Sequence, residues 1–129
     1  MGNQVTKRRP LVFVIDDDGA IRDSLKFSLE IDGFWVRTYA SAKELCAVSD
    51  LSHCSCLVVD QKLPETCGID LIAALRRQGL LTPAILITSQ PTAALRERAS
   101  RTGIPIVEKP LIGTALLDGI RRALSQPQP

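Results

Sequence analysis

Four places in the chain set groups able to hold a cation or move a phosphate directly after a run of aliphatic residues. Asp16, Asp17 and Asp18 follow Leu11–Ile15, and Asp60 follows Cys56–Val59; Thr88 and Ser89 follow Ala84–Ile87, and Glu108, Lys109 and Pro110 follow Ile104–Val107. One acid in such a place means little, because aspartate is a common turn former and helix cap. Carboxylates gathered on one rim are different. They repel and raise each other's proton affinity unless a cation neutralises them. Oxygen ligands with few dedicated protein groups suit magnesium, which keeps several waters and accepts phosphate oxygens as well. A carboxylate beside such an ion can act as a nucleophile toward a phosphoryl group, with a lysine offsetting charge on the transferred oxygens. Lys109 and Thr88 are placed for that work.

The elements needed to bring these residues together are legible in the hydrophobic pattern. Five short apolar runs, Leu11–Ile15, Trp35–Tyr39, Cys56–Val59, Ala84–Ile87 and Ile104–Val107, read as strands. Three of them are nearly continuous in branched aliphatics and do not alternate with polar residues, the pattern of strands covered on both faces of a parallel sheet. Between them, Ile21, Leu25 and Leu29 recur every four residues in Ala20–Ile31 and form one buried helical stripe. Ala42–Val48, Ile69–Gln78 and Ala93–Arg101 read as further helices, with Gly79 and Gly103 as terminators of the last two. Ile112, Leu116, Ile120 and Leu124 repeat the stripe in a final helix. The order is strand then helix, five times over, which predicts an α/β fold with a doubly wound parallel sheet and leaves no room for a second domain. Ligands in such folds sit beyond the carboxyl ends of the strands, where the polar residues above are found.

Four motifs, in order, carry a resemblance. Val12-Phe13-Val14-Ile15-Asp16-Asp17-Asp18, Cys56-Leu57-Val58-Val59-Asp60 with Pro64 and Gly68, Ile85-Leu86-Ile87-Thr88-Ser89, and Glu108-Lys109-Pro110 resemble the receiver domain of bacterial response regulators. The likeness runs from Leu11 to about Leu124. It implies a CheY-like (βα)5, flavodoxin-like fold with strand order 2-1-3-4-5. It further implies that Asp60 accepts a phosphoryl group from a sensor histidine kinase or histidine phosphotransfer protein. Asp17, Asp60 and the backbone carbonyl of Lys62 would touch Mg2+, for which Mn2+ can substitute, with Asp16 acting through water. Thr88 would donate a hydrogen bond to the phosphate and Lys109 would pair with it through a cis Lys109–Pro110 arrangement. Ser89 is a phosphate-contact candidate, and Lys62 and Gln90 flank the site where residues tune the lifetime of the acyl phosphate. Such a domain is a signalling switch that assists its own phosphorylation and dephosphorylation, not a metabolic enzyme.

The chain also departs from the family pattern. The position three before the lysine, where receivers often carry a tyrosine or phenylalanine that rotates inward, is Ile106, which is stiff at its first torsion and has no ring to swing. The span from Thr88 to Lys109 is about one residue short by the family's pattern, and Pro91 sits where the loop runs into the fourth helix. Switching would then proceed through backbone movement after Thr88.

Composition narrows the class. With 129 residues, 45% hydrophobic and 23% charged, the chain can bury a core without covalent staples. Cys46, Cys54, Cys56 and Cys67 are expected as free thiols, and Cys54-Ser55-Cys56 is too tight for a structural zinc site with His53. A net charge of +2 does not suggest direct nucleic-acid binding, and no segment has the length of a membrane span, so a cytoplasmic protein is expected. Residues 1–10, with Lys7, Arg8 and Arg9, read as a solvated basic tail; 11–124 as the receiver domain; 125–129 as a polar tail or the start of a linker. Gly33 to Leu45 resembles receivers of the FixJ/NarL type, often followed by a helix-turn-helix domain, and a homodimer is compatible with that. Asp18 reads as the cap of the first helix.

Two rival readings stand beside this one. Val14-Ile15-Asp16-Asp17-Asp18-Gly19 resembles the Asp-x-Asp motif of haloacid-dehalogenase-type phosphatases, which would make Asp16 the nucleophile but leaves Asp60 and Pro64 unexplained. The second is a pseudo-receiver, a binding module that docks partners without phosphorylation, favoured by Ile106.

Overall fold

The computed structural model describes residues 9–48 and 50–125. The expected basic tail before Arg9 and the polar end after Ser125 lie outside the described residues. Strands and helices alternate: β1 (Leu11–Ile15), α1 (Gly19–Ile31), β2 (Trp35–Tyr39), α2 (Ala42–Cys46), β3 (Cys56–Asp60), α3 (Gly68–Arg77), β4 (Ala84–Thr88), α4 (Ala93–Arg101), β5 (Ile106–Glu108) and α5 (Ala115–Ser125). The strands form one parallel sheet in the order β2-β1-β3-β4-β5. This is the flavodoxin-like doubly wound topology, and its strand order reverses between β1 and β3.

The continuous apolar strands are explained by helices on both faces. Phe13, Ile15, Leu57, Val59 and Leu86 point to one side and pack with residues of α2, α3 and α4. Their neighbours Val12, Val14, Val58, Ile85 and Ile87 point to the other and pack with Leu25 and Leu29 of α1 and Leu116 and Ile120 of α5. Because side chains alternate across a strand, a run covered on both faces cannot afford a polar residue on either.

Several boundaries differ from the sequence expectation by a residue or two, among them the end of α2 at Cys46 in place of Val48, and two further differences have a clear physical reason. The fifth strand starts at Ile106, not Ile104. Gly103, at φ 72°, ends α4 in a left-handed turn, and Ile104 N–H then donates back to Ala99 O at 2.9 Å. The apolar residue after the glycine therefore belongs to the helix terminus, where it buries itself, and not to the sheet. The same arrangement closes α3, where Leu80 N–H donates to Leu75 O at 3.0 Å. The last helix begins at Ala115, leaving Ile112 77% exposed. Ile112 N–H is turned back onto Pro110 O at 2.9 Å, and Thr114 receives the first helical bond from Asp118 N–H at 2.8 Å, so the buried stripe starts at Leu116. Arg9 is also not simply solvated: its guanidinium lies 5.0 Å from the centre of the Trp35 ring, a cation–π contact on the exposed edge strand.

Candidate functional site

The reversal of strand order opens a crevice at the carboxyl ends of β1 and β3, and the acidic residues stand there. Asp16 directly follows β1 and is fully buried; Asp60 ends β3 and is 4% exposed. Asp17 is exposed, yet carboxylate oxygens of Asp16, Asp17 and Asp60 all lie within 4.8 Å of one another. Lys109, on the loop after β5, brings its ammonium to 3.2 Å from Asp16 Oδ2 and 3.2 Å from Asp60 Oδ2. Two buried carboxyl groups thus face one ammonium, with a third carboxyl close beside them.

Local bonds hold these groups in place. Asp16 Oδ1 accepts from Asp18 N–H at 2.9 Å, and Asp60 Oδ1 accepts from Lys62 N–H at 3.3 Å. Asp16 Oδ2 is buried and accepts no hydrogen bond among the described residues; the ammonium beside it is a charge contact. A buried oxygen left without a donor is costly in a protein interior but suits a cation ligand. Its chemistry, with two further carboxylates in reach, fits a hard divalent ion such as magnesium.

The electrostatics are those of a crowded acid cluster. Burial first, and then the charge of Asp16, push the Asp60 carboxyl above the usual carboxylate range, against the pull of Lys109. Burial works against the Lys109 ammonium, but the charge of Asp16 and the contacts with Asp60 outweigh it and leave the lysine more basic than usual.

The remaining sequence candidates lie around this centre. Thr88 closes β4 and is 8% exposed, and its carbonyl accepts from Lys109 N–H at 2.9 Å, which ties the loop carrying the lysine to the end of β4. Ser89 and Gln90 follow it and are exposed, as is Lys62, whose residue also bridges to Cys67. The Lys109–Pro110 bond is cis. Ile106 is half-buried and packs into the cluster shared with α3 and α4. Asp18 caps α1, accepting from Ala20 N–H at 2.9 Å.

Sequence reasoning missed two positions. Arg22, one turn into α1, donates from Nη1 to Asp16 O at 2.7 Å and so anchors the loop holding the acids. Gln61 accepts from Ile69 N–H at 3.0 Å and takes Gly68 N–H on its carbonyl at 2.9 Å, fastening the start of α3 to the end of β3. Neither announces itself, because an arginine on a helix and a glutamine in a loop are ordinary surface residues until the fold places them.

Residues 12–121 match the response regulator receiver domain family. The chain belongs to that family. Among curated relatives, it is 30% identical over 113 residues to the transcriptional regulatory protein FixJ of Rhizobium meliloti, an alignment covering 87% of this chain and 55% of that protein. The crystal structure of FixJ-N superposes with a TM-score of 0.82 at 28% identity, covering 95% of this chain and 99% of the other. The non-phosphorylated HemR receiver domain from Leptospira biflexa superposes at 0.85 with 24% identity, covering 94% and 98%, a likeness of fold. This receiver chain spans about half the length of the curated relatives it matches. Family membership replaces the phosphatase reading.

Proposed function

We propose that residues 11–124 form a cytoplasmic phosphorylation switch whose acceptor is Asp60. The observation that carries this reading is the Lys109 ammonium set 3.2 Å from both Asp16 and Asp60, with Asp17 at the mouth of the same cluster. An oxygen of Asp60 forms the new bond to phosphorus as the nitrogen–phosphorus bond of a donor phosphohistidine breaks. The donor is a sensor histidine kinase or a histidine phosphotransfer protein. Lys109 would offset charge on the transferred oxygens, and the Thr88 hydroxyl would donate a hydrogen bond to one of them. Asp17, Asp60 and the Lys62 carbonyl would hold magnesium or manganese, with Asp16 behind them; the bound ion supplies positive charge against the phosphoryl oxygens. Ser89 is a further phosphate contact, and Lys62 and Gln90 bear on the lifetime of the product. FixJ, DctR and TdiR are named as transcriptional regulatory proteins; by analogy the switch here reports to a transcriptional output, with a homodimer as one route.

The test is incubation with acetyl phosphate, followed by intact-mass spectrometry. One alkali-labile phosphoryl group should appear only with magnesium, vanish in Asp60→Asn and persist in Thr88→Ser. A label that survives in Asp60→Asn refutes the assignment. Failure of the folded parent protein to label at all would favour the pseudo-receiver reading.

A further inference from the structure

Away from the acid cluster, a trough of about 410 Å3 runs between α3 and α4. Its floor is apolar, made by Ile69, Ile72, Ala73 and Ile104, and its rim is basic, made by Arg76, Arg77 and Arg98. The α3 residues recur at three- and four-residue spacing, so they line one face of that helix for about 12 Å. Arg101 lies one turn beyond Arg98 on the same side of α4. Of these cations, Arg98 is occupied by Asp70 at 2.7 Å, and Arg76 donates to Leu80 O at 3.0 Å and Thr82 O at 2.7 Å. Arg77 and Arg101 are exposed and form no ion pair among the described residues.

We propose that this trough docks an acidic peptide segment of a partner protein, anchored by one apolar side chain. An apolar slot lined by the unpaired Arg77, with Arg101 one turn beyond its α4 wall, complements a chain that alternates carboxylates with a single aliphatic or aromatic residue. The extended geometry favours a peptide over a compact ligand. Small-molecule sites enclose most of their ligand's surface, whereas this trough is open along its length and matches about four residues of extended chain. Because α4 forms one wall, occupancy would bear on the helix that follows the Thr88 loop.

The experiment is a fluorescence-anisotropy titration of the protein with a fluorescein-labelled peptide of glutamate and serine around one central leucine. The expected result is saturable binding that weakens about fivefold or more in Arg77→Glu and in Arg101→Glu, and likewise when the leucine becomes serine. Both arginines are exposed and unpaired, so unchanged thermal melts establish that the variants are folded. Backbone amide shifts should move at 69–77 and 98–104. The proposal is overturned if binding does not saturate, if neither substitution weakens it, or if the shifts map to another face. It is also overturned if hexanoate alone reproduces the shifts at lower concentration than the peptide. A single-stranded oligonucleotide that displaces the peptide whether or not the leucine is present would assign the patch to nucleic acid instead.

Discussion

In the proposed reaction two demands would conflict at Asp60, since a nucleophilic carboxylate must be ionised while its position beside Asp16 in the interior penalises charge. The carboxyl is accordingly raised, by burial first and by Asp16 second. A group raised in the folded state gives stability that is complete below its unfolded value of about 3.9 and is lost as pH climbs through the folded value. Asp60→Asn removes that loss, while Lys109 keeps Asp16 as a partner. In the absence of divalent ions the variant should be more stable than the parent at pH 7, with the advantage fading toward about pH 4. Thermal melts in EDTA across that range check it, and a variant that loses stability at neutral pH contradicts it. The cysteines offer a second residue-scale expectation. Desolvation pushes the buried Cys54 thiol up to about 11 and Cys56 up to about 12, and all four cysteines are unpaired. At pH 8 iodoacetamide should modify exposed Cys46 and leave Cys54 and Cys56 untouched until the protein is unfolded, as peptide mapping would show.

The elements act as brackets for these residues. Asp18 accepts from the first free amides of α1, so Asp18→Ala should cost about 1 kcal/mol. Its backbone bond to Asp16 survives the change, and magnesium-dependent labelling should persist; loss of labelling without loss of stability would instead place Asp18 in the phosphoryl site. At the start of α3 the constraint is steric. A Cβ on Gly68 would clash with Asp60 O and stand 2.8 Å from Leu86 Cδ1, so the helix reaches the backbone of Asp60 because residue 68 has no side chain. Gly68→Ala should cost about 1–3 kcal/mol and slow the labelling of Asp60 by shifting its strand end. Chemical denaturation and labelling time courses, run side by side, measure both effects.

For the whole molecule, the question is which part moves. α4 has a single fully buried residue, Ala99, with Leu95 half-buried behind it. Its edges are held by surface pairs, Arg98–Asp70 at 2.7 Å and Arg96–Glu108 at 2.8 Å, each worth about 0–1 kcal/mol. Elements with few buried contacts are the first to open. Ile106 is already packed into the α3–α4 side of the core and offers no ring to swing. With magnesium and beryllofluoride, amide exchange measured by mass spectrometry should change over the loop 89–92 and α4, with β5 nearly unaffected. Changes dominated by β5 would show that the strand relays the signal without an aromatic.

Much of this was legible in the sequence because each signal is local. Val12-Phe13-Val14-Ile15 followed by three acids states both a doubly covered strand and a charged loop, and the spacing of Leu25 and Leu29 states a helix face. Boundaries failed where a local pattern served two structures: Ile104 has the residue type of a strand but completes the end of α4, and Ile112 keeps the stripe's spacing while lying outside α5. What the chain order could not give is convergence. Asp16, Asp60 and Lys109 are distant in sequence, and only parallel registry of β1, β3, β4 and β5 brings an ammonium between two buried carboxyls. The anchoring of that loop by Arg22, the bare approach of Gly68 to Asp60 and the basic trough between α3 and α4 likewise depend on distances between elements, which tertiary packing alone sets.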